Sequence, residues 1–261
     1  MTTNKLTLTQ YVKQDAVTTR LNELLGKRAP QFVTSLVSAA NANTLLANCA
    51  PETVLTAALT AASMDLPINQ NLGFAYLIPY KNKTGEVCQF QMGYKGFIQL
   101  AQRSGYYKTI NATDVREGEI AKNDRLSGEI EFNWIENETE RAKAKVIGYV
   151  AYFKLLSGFE KTFYMSAEEL KSHATKYSKN FAKYNSGLWA DNFDAMAKKT
   201  VLKLLISKFG PLNTQLEDAI QKDQTVDGEY VDNPSKVEVV EAELGDSEES
   251  EEGDAANSSG N

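Results

Sequence analysis

The spacing of apolar residues divides the chain into a helical first quarter, a central block of alternation and a helical end. Over residues 30–48, Phe32, Val33, Leu36, Val37, Ala40, Leu45 and Leu46 follow helical spacing. Pro51-Glu52 opens a second helix running to Met64, with proline in the first turn and an acid near the positive helix end. Its alanine and leucine content predicts burial on more than one side, and Pro67 ends it. Residues 1–27 are polar with scattered apolars, so only a short helix over 18–25 is expected there, with a loosely held start. After Asn71 the period shortens. Phe74, Tyr76, Ile78 and Tyr80 alternate, as do Cys88, Phe90 and Met92, across the turn signal Lys-Asn-Lys-Thr-Gly-Glu, which predicts a β-hairpin.

Gly93-Tyr94-Lys95-Gly96 leads into a helix over 97–103 that Gly105 closes. Strands are expected over 107–115, 145–156 and 160–165, with a charged, solvent-facing hairpin over 117–142. Ser166-Ala167-Glu168-Glu169 has the form of a capping box and starts a helix reaching about 176. Residues 177–187 read as an exposed loop. Residues 189–209 are the clearest helix, with Trp189, Phe193, Met196, Ala197, Val201, Leu204 and Leu205 as its stripe and Lys199 and Lys203 one turn apart on its flank. A short helix over 212–221 follows. The fold class is therefore α+β: a β-hairpin and antiparallel sheet core flanked by helices. Three regions are expected: an N-terminal arm over 1–28 that serves oligomerisation, a core over 29–222, and a disordered acidic tail over 223–261.

Net charge changes this picture only once it is split. The whole chain of 261 residues carries −6, but residues 1–222 hold 27 Lys and Arg against 21 Asp and Glu, a net +6. Residues 223–261 hold Lys236 against 13 acids, a net −12. A basic body with an acidic tail fits a nucleic-acid protein and equally a protein with a solubilising tail. The absence of any apolar run of about 18 residues argues against a membrane span. Cys49 and Cys88 with the single His173 form neither a disulfide framework nor a metal set, so a reducing cytoplasm is the expected home.

The positive charge concentrates in residues 72–108, which hold five cations (Lys81, Lys83, Lys95, Arg103, Lys108) against Glu86 alone. Aromatic residues are interleaved with them, among them Tyr94, Tyr106 and Tyr107. Cations neutralise phosphates and flat rings offer stacking surface to unpaired bases. Lys198, Lys199 and Lys203 add a second basic group on the 189–209 helix. For each single lysine a solvated face is the alternative, and most of the aromatics are expected in the core. No phosphate-cradling G-x-x-x-x-G-K-[ST] occurs. Glu169-Leu170-Lys171 with Asp114 superficially fits a metal-dependent nuclease, but the triplet lies in a capped helix rather than on a core strand.

LGFAYLIPYKNKTGEVCQFQMGYKGFIQLAQRSG, followed about ninety residues later by WADNFDAMAKKTVLKLL, resembles the signature of the RecT family of phage single-strand annealing recombinases. The resemblance runs from about residue 30 to 220. It implies an ATP-independent, non-enzymatic protein without cofactor or metal that coats single-stranded DNA and pairs it with a complementary strand through an annealed duplex intermediate. It also implies homo-oligomeric rings or helical filaments and a partnership with a phage 5′–3′ exonuclease. A host single-strand binding protein, engaged through the C-terminal region, is a further expected partner. DNA contact carries over to the matching basic positions, Lys81, Lys95, Arg103, Lys108, Lys198, Lys199 and Lys203. The alternatives are a metal-dependent nuclease of the same recombination system and a structural phage assembly protein.

Overall fold

A computed structural model describes residues 6–82, 85–223 and 229–230. In chain order its first helices are α1 (Leu8–Val12), α2 (Asp15–Leu25), α3 (Ala29–Ala42), α4 (Thr44–Asn48) and α5 (Pro51–Ser63). A hairpin follows, β1 (Ala75–Asn82) and β2 (Gly85–Met92), then α6 (Tyr94–Arg103) and β3 (Tyr107–Arg116). Next come β4 (Ile120–Asp124), β5 (Glu129–Phe132), α7 (Glu138–Lys143), β6 (Val146–Leu155) and β7 (Glu160–Ser166). The chain then runs through α8 (Ala167–Tyr177), α9 (Lys179–Tyr184), α10 (Leu188–Asp191), α11 (Phe193–Phe209) and α12 (Thr214–Lys222) to a two-residue strand, β8 (Glu229–Tyr230). The α+β architecture with antiparallel sheets flanked by helices is as expected.

The sheets run in the orders β2-β1-β8, β3-β6-β7 and β4-β5, every pairing antiparallel. β1 and β2 pair in unbroken register from Ala75 opposite Met92 to Asn82 opposite Gly85. The hairpin's α5-facing side is sealed by Ala50 N donating to Glu86 O and Cys88 N donating to the Thr53 hydroxyl. α11 packs against β3, β6, β7 and α6. The main apolar core joins Leu36, Val54, Ala58 and Leu77 to Phe97, Phe153, Trp189, Val201 and Leu205, and Ile78 and Tyr80 form a second, small cluster. Cys49 and Cys88 are both buried in the main core. Among the described residues no helix is long and apolar enough to cross a membrane.

Local chemistry accounts for several departures from the expected pattern. The N-terminal arm is tied down: Thr7 and Gln10 form a capping box, and Leu8, Val12 and Leu21 reach the core. Asn43 caps a new helix, so the apolar run over 30–48 is two helices. The 189–209 run likewise breaks at Asn192. Residues expected to be loop form α9, because the Ser178 hydroxyl accepts from Phe181 N and caps it. Asn137 does the same for α7 inside the stretch expected to be hairpin alone. The capping box at Ser166 forms as expected: Glu169 N donates to Ser166 Oγ (3.1 Å) and Ser166 N to Glu169 Oε2 (2.7 Å). The expected disordered tail, apart from Asp223, Glu229 and Tyr230, lies outside the described residues.

Candidate nucleic-acid interface

α6 starts where the hairpin ends, and a close backbone crossing fixes its start. A Cβ on Gly93 would collide with the Gly73 carbonyl oxygen, and Gly73 itself has φ +73°, which favours glycine. Gly93 caps α6 without a side chain. Lys95 therefore stands exposed in the first turn, the end of a helix where the macrodipole disfavours a cation. It has no ion pair among the described residues, and the first turn of α6 carries no acid. A cation so placed costs stability and is available to an external anion. Tyr94, beside it, is half-buried and packs on the core.

The other end of α6 is about 15 Å away at 1.5 Å per residue. Here Tyr106 is 52% exposed and Lys108 is exposed. Leu156 N donates to Tyr106 O, which brings the exposed Leu156 and Phe159 of the β6–β7 turn alongside. Further along the same sheet Lys161 sits over the exposed Phe209 ring (5.5 Å) and Lys208 over Phe163 (5.1 Å). This aromatic and lysine surface went unnoticed in the sequence because its members come from three separated segments. Lys81, exposed on β1, lies opposite Glu86 some six residues along the strand from the α6 end, so the structure does not group it with Lys95.

Other expected contacts are committed elsewhere in this structure. Tyr107 is buried, its hydroxyl donating to Pro211 O and its ring edge-on to Phe153, and burial pushes its hydroxyl up to about 12. Its ring is thus not an open stacking surface. Arg103 donates to Met64 O (2.5 Å) and reaches Asp65, which Arg28 also grips (2.7 Å), so its guanidinium serves the α5 C-terminus. Lys198 is held by Asp194 at 2.8 Å, an i,i+4 pair. Lys199 and Lys203 are not on a flank at all. They are 4% and 7% exposed, because α11 is enclosed on nearly every side, with Val201, Leu202, Leu205 and Ile206 buried around them.

What admits two lysines to that interior is Asp223, itself fully buried. Its Oδ1 accepts from Lys199 Nζ (2.7 Å) and from Met92 N (3.0 Å), and its Oδ2 from Lys203 Nζ (3.0 Å). Burial lowers the Lys199 ammonium to about 8, with Asp223 opposing the shift and Lys203 adding to it. The first residue of the expected tail is therefore a core residue, and a boundary after 222 cuts through this cluster. The sequence held a signal: two lysines among solidly apolar neighbours require a buried acid. Glu169 and Asp114, the nuclease alternative, are also engaged, Glu169 in the α8 cap and Asp114 with Arg116 (2.8 Å) and Arg141 (3.4 Å).

A family model for the RecT family matches residues 30–238, past the 222 boundary and through Asp223. The chain is 40% identical over 247 residues to the uncharacterized protein YqaK of Bacillus subtilis (strain 168), covering 94% of this chain and 82% of that one. It is 28% identical over 185 residues to the protein RecT of Escherichia coli (strain K12), covering 69% of this chain and 65% of that one. The match extends from α3 through the hairpin, α6 and α11 to Asp223, which closes over the α11 lysines, and the chain belongs to the RecT family of annealing recombinases.

Proposed function

We propose that this chain is an ATP-independent single-strand DNA annealing protein of phage or prophage origin, which grips the DNA backbone, oligomerises and pairs complementary strands. Membership of the RecT family makes it a recombination and annealing protein, and the match over 30–238 is the observation that carries the finer reading. Annealing breaks no covalent bond, so a surface that offsets phosphate repulsion while leaving base edges free meets its needs. Exposed Lys95 and Lys108, about 15 Å or more apart along α6, suit a backbone track of that kind, with Tyr106 and Phe159 as stacking surfaces. Lys81 would meet DNA only at the far end of the hairpin. Rings or filaments of the chain would extend the track, a 5′–3′ exonuclease would expose the strand, and the cytoplasm is the compartment where both meet DNA.

Two complementary oligonucleotides mixed with the protein, without ATP, test this by strand-exchange fluorescence. Annealing faster than the protein-free rate is expected. Lys95→Ala should weaken single-strand binding on any sequence and flatten the salt slope by about 0.7, the value of one phosphate contact. Protein that leaves the annealing rate unchanged, or Mg²⁺-dependent loss of labelled DNA, would overturn the proposal.

A further inference from the structure

The cluster beneath α12 has the donor geometry of an anion site. Two ammonium groups and one main-chain N–H converge on a single carboxylate, each within 3.0 Å. A phosphodiester presents the same formal charge as that carboxylate and the same two free oxygens. Backbone amides combined with lysines are the usual means of holding a phosphate without reading sequence. The charges are also unbalanced, two cations to one anion. Either singly charged oxyanion, carboxylate or phosphodiester, would therefore meet two ammonium groups here.

The position of the filler is equally telling. Asp223 directly follows α12, a nine-residue helix, and belongs to no sheet. It can leave its partners without breaking a strand pairing. One of the three donors, Met92 N, lies three residues before the exposed Lys95, hence within about 10 Å of it along the backbone. A short run of backbone thus joins the exposed Lys95 to the place Asp223 occupies. A small cavity of about 20 Å³ adjoins the carboxylate, lined by His173, Met196, Thr200 and Leu204 together with the three charged residues. The site therefore keeps free space on its α8 side.

We infer that Lys199, Lys203 and the Met92 amide form a phosphodiester site that Asp223 fills in the DNA-free chain and vacates when a single strand binds. This rests on the annealing reading above. The exchange is nearly balanced because one singly charged oxyanion replaces another on the same donors. Removing Asp223 with nothing in its place would be costly, since two buried cations would face each other. The carboxylate thus acts as an internal competitor. It shields the lysines from other anions and makes engagement conditional on a ligand that also holds the outer cations.

The test uses the full chain and a fluorescent oligo-dT, with binding followed by anisotropy across a range of NaCl concentrations. Asp223→Asn should bind about tenfold tighter, the gain from opening a site roughly nine-tenths blocked. Its salt slope should match that of the wild-type chain, because both complexes hold the same phosphate. Adding Lys199→Met to that variant should reverse the gain in affinity and flatten the slope by up to about 0.7, the value of one phosphate contact. A folded Asp223→Asn chain, judged by near-ultraviolet circular dichroism, with unchanged affinity would overturn the inference while leaving the annealing reading intact. Failure of both chains to bind oligo-dT would overturn both. Should the variant not fold, hydrogen exchange on the wild-type chain decides: saturating oligo-dT should speed exchange across residues 214–223, and unchanged or slower exchange there would refute the latch.

Discussion

Removing the Glu119 side chain should detach the β4–β5 hairpin and α7 from the main sheet. Glu119 is fully buried and accepts from Arg141 Nε (2.7 Å), Arg116 N (2.8 Å), Arg141 Nη2 (3.3 Å) and Ile135 N (3.4 Å). Its main chain also accepts from Asn133 N at 2.8 Å. One carboxylate thereby fixes the end of β3, the segment leaving β5 and the helix α7. Glu119→Ala leaves a largely buried guanidinium and two amides without their acceptor, a class of change that costs about 3–5 kcal/mol. Arg141 keeps Asp114 O (3.0 Å) and the Asp114 carboxylate (3.4 Å), so the low end, about 3 kcal/mol, is expected.

Hydrogen exchange of the β4 and β5 amides reads this local free energy directly. About 3 kcal/mol corresponds to roughly a hundredfold faster exchange. Acceleration under about fivefold would mean the cluster behaves as a surface pair and would refute the reasoning. The pH dependence supplies a second check. Burial alone would raise the Glu119 and Asp114 carboxyls, but hydrogen bonds and charge from Arg141 and Arg116 hold both below their usual values. Depressed folded pKa values mean that this stability is complete above the unfolded values of 4.5 and 3.8 and is lost as pH falls through the folded ones. Glu119→Ala should accordingly flatten the acid limb of local protection.

Three further outcomes follow from single sites. Ending the chain after Lys222 should cost about 3–5 kcal/mol in urea unfolding relative to ending it after Asp223, because only the shorter chain loses the counter-charge of Lys199 and Lys203; equal midpoints would contradict the cluster. Burial, with Lys203 and Lys176 nearby, lowers His173 to about 4, so between the unfolded value of 6.5 and 4 the unfolded chain binds the extra proton and stability drops as pH is lowered. His173→Gln should lessen that fall in Tm, and an unaltered pH profile would contradict it. Gly93→Ala should cost about 1–3 kcal/mol by thermal unfolding, since its Cβ meets the backbone of Gly73; a wild-type Tm would contradict that close crossing.

Elements governed by neighbours in the chain were legible in the sequence. The hairpin's alternation, the proline start of α5 and the serine-to-glutamate cap of α8 are each decided within four or so residues. The site was legible only in part, because burial is decided at long range. Lys199 and Lys203 have the i,i+4 spacing of a solvated face, and the acid that buries them is 24 and 20 residues away in a segment whose composition reads as tail. Arg103 has the composition of a DNA contact but is directed onto the Met64 carbonyl by the meeting of α5 and α6. α9 was hidden for the opposite reason, its Lys, Asn and Tyr residues being poor in apolar periodicity while one serine cap sufficed to set it.

The two-to-one charge ratio inside α11 also couples folding to the solvent's proton activity on the alkaline side. An unfolded Lys199 titrates near 10.5 and the folded one near 8, so over that interval the unfolded chain carries the extra proton. Stability therefore rises as pH climbs from 8 to 10.5, where releasing one proton leaves a matched Lys203–Asp223 pair in the interior. This one group therefore opposes folding less after losing its proton than before, while the cluster then holds one positive charge fewer.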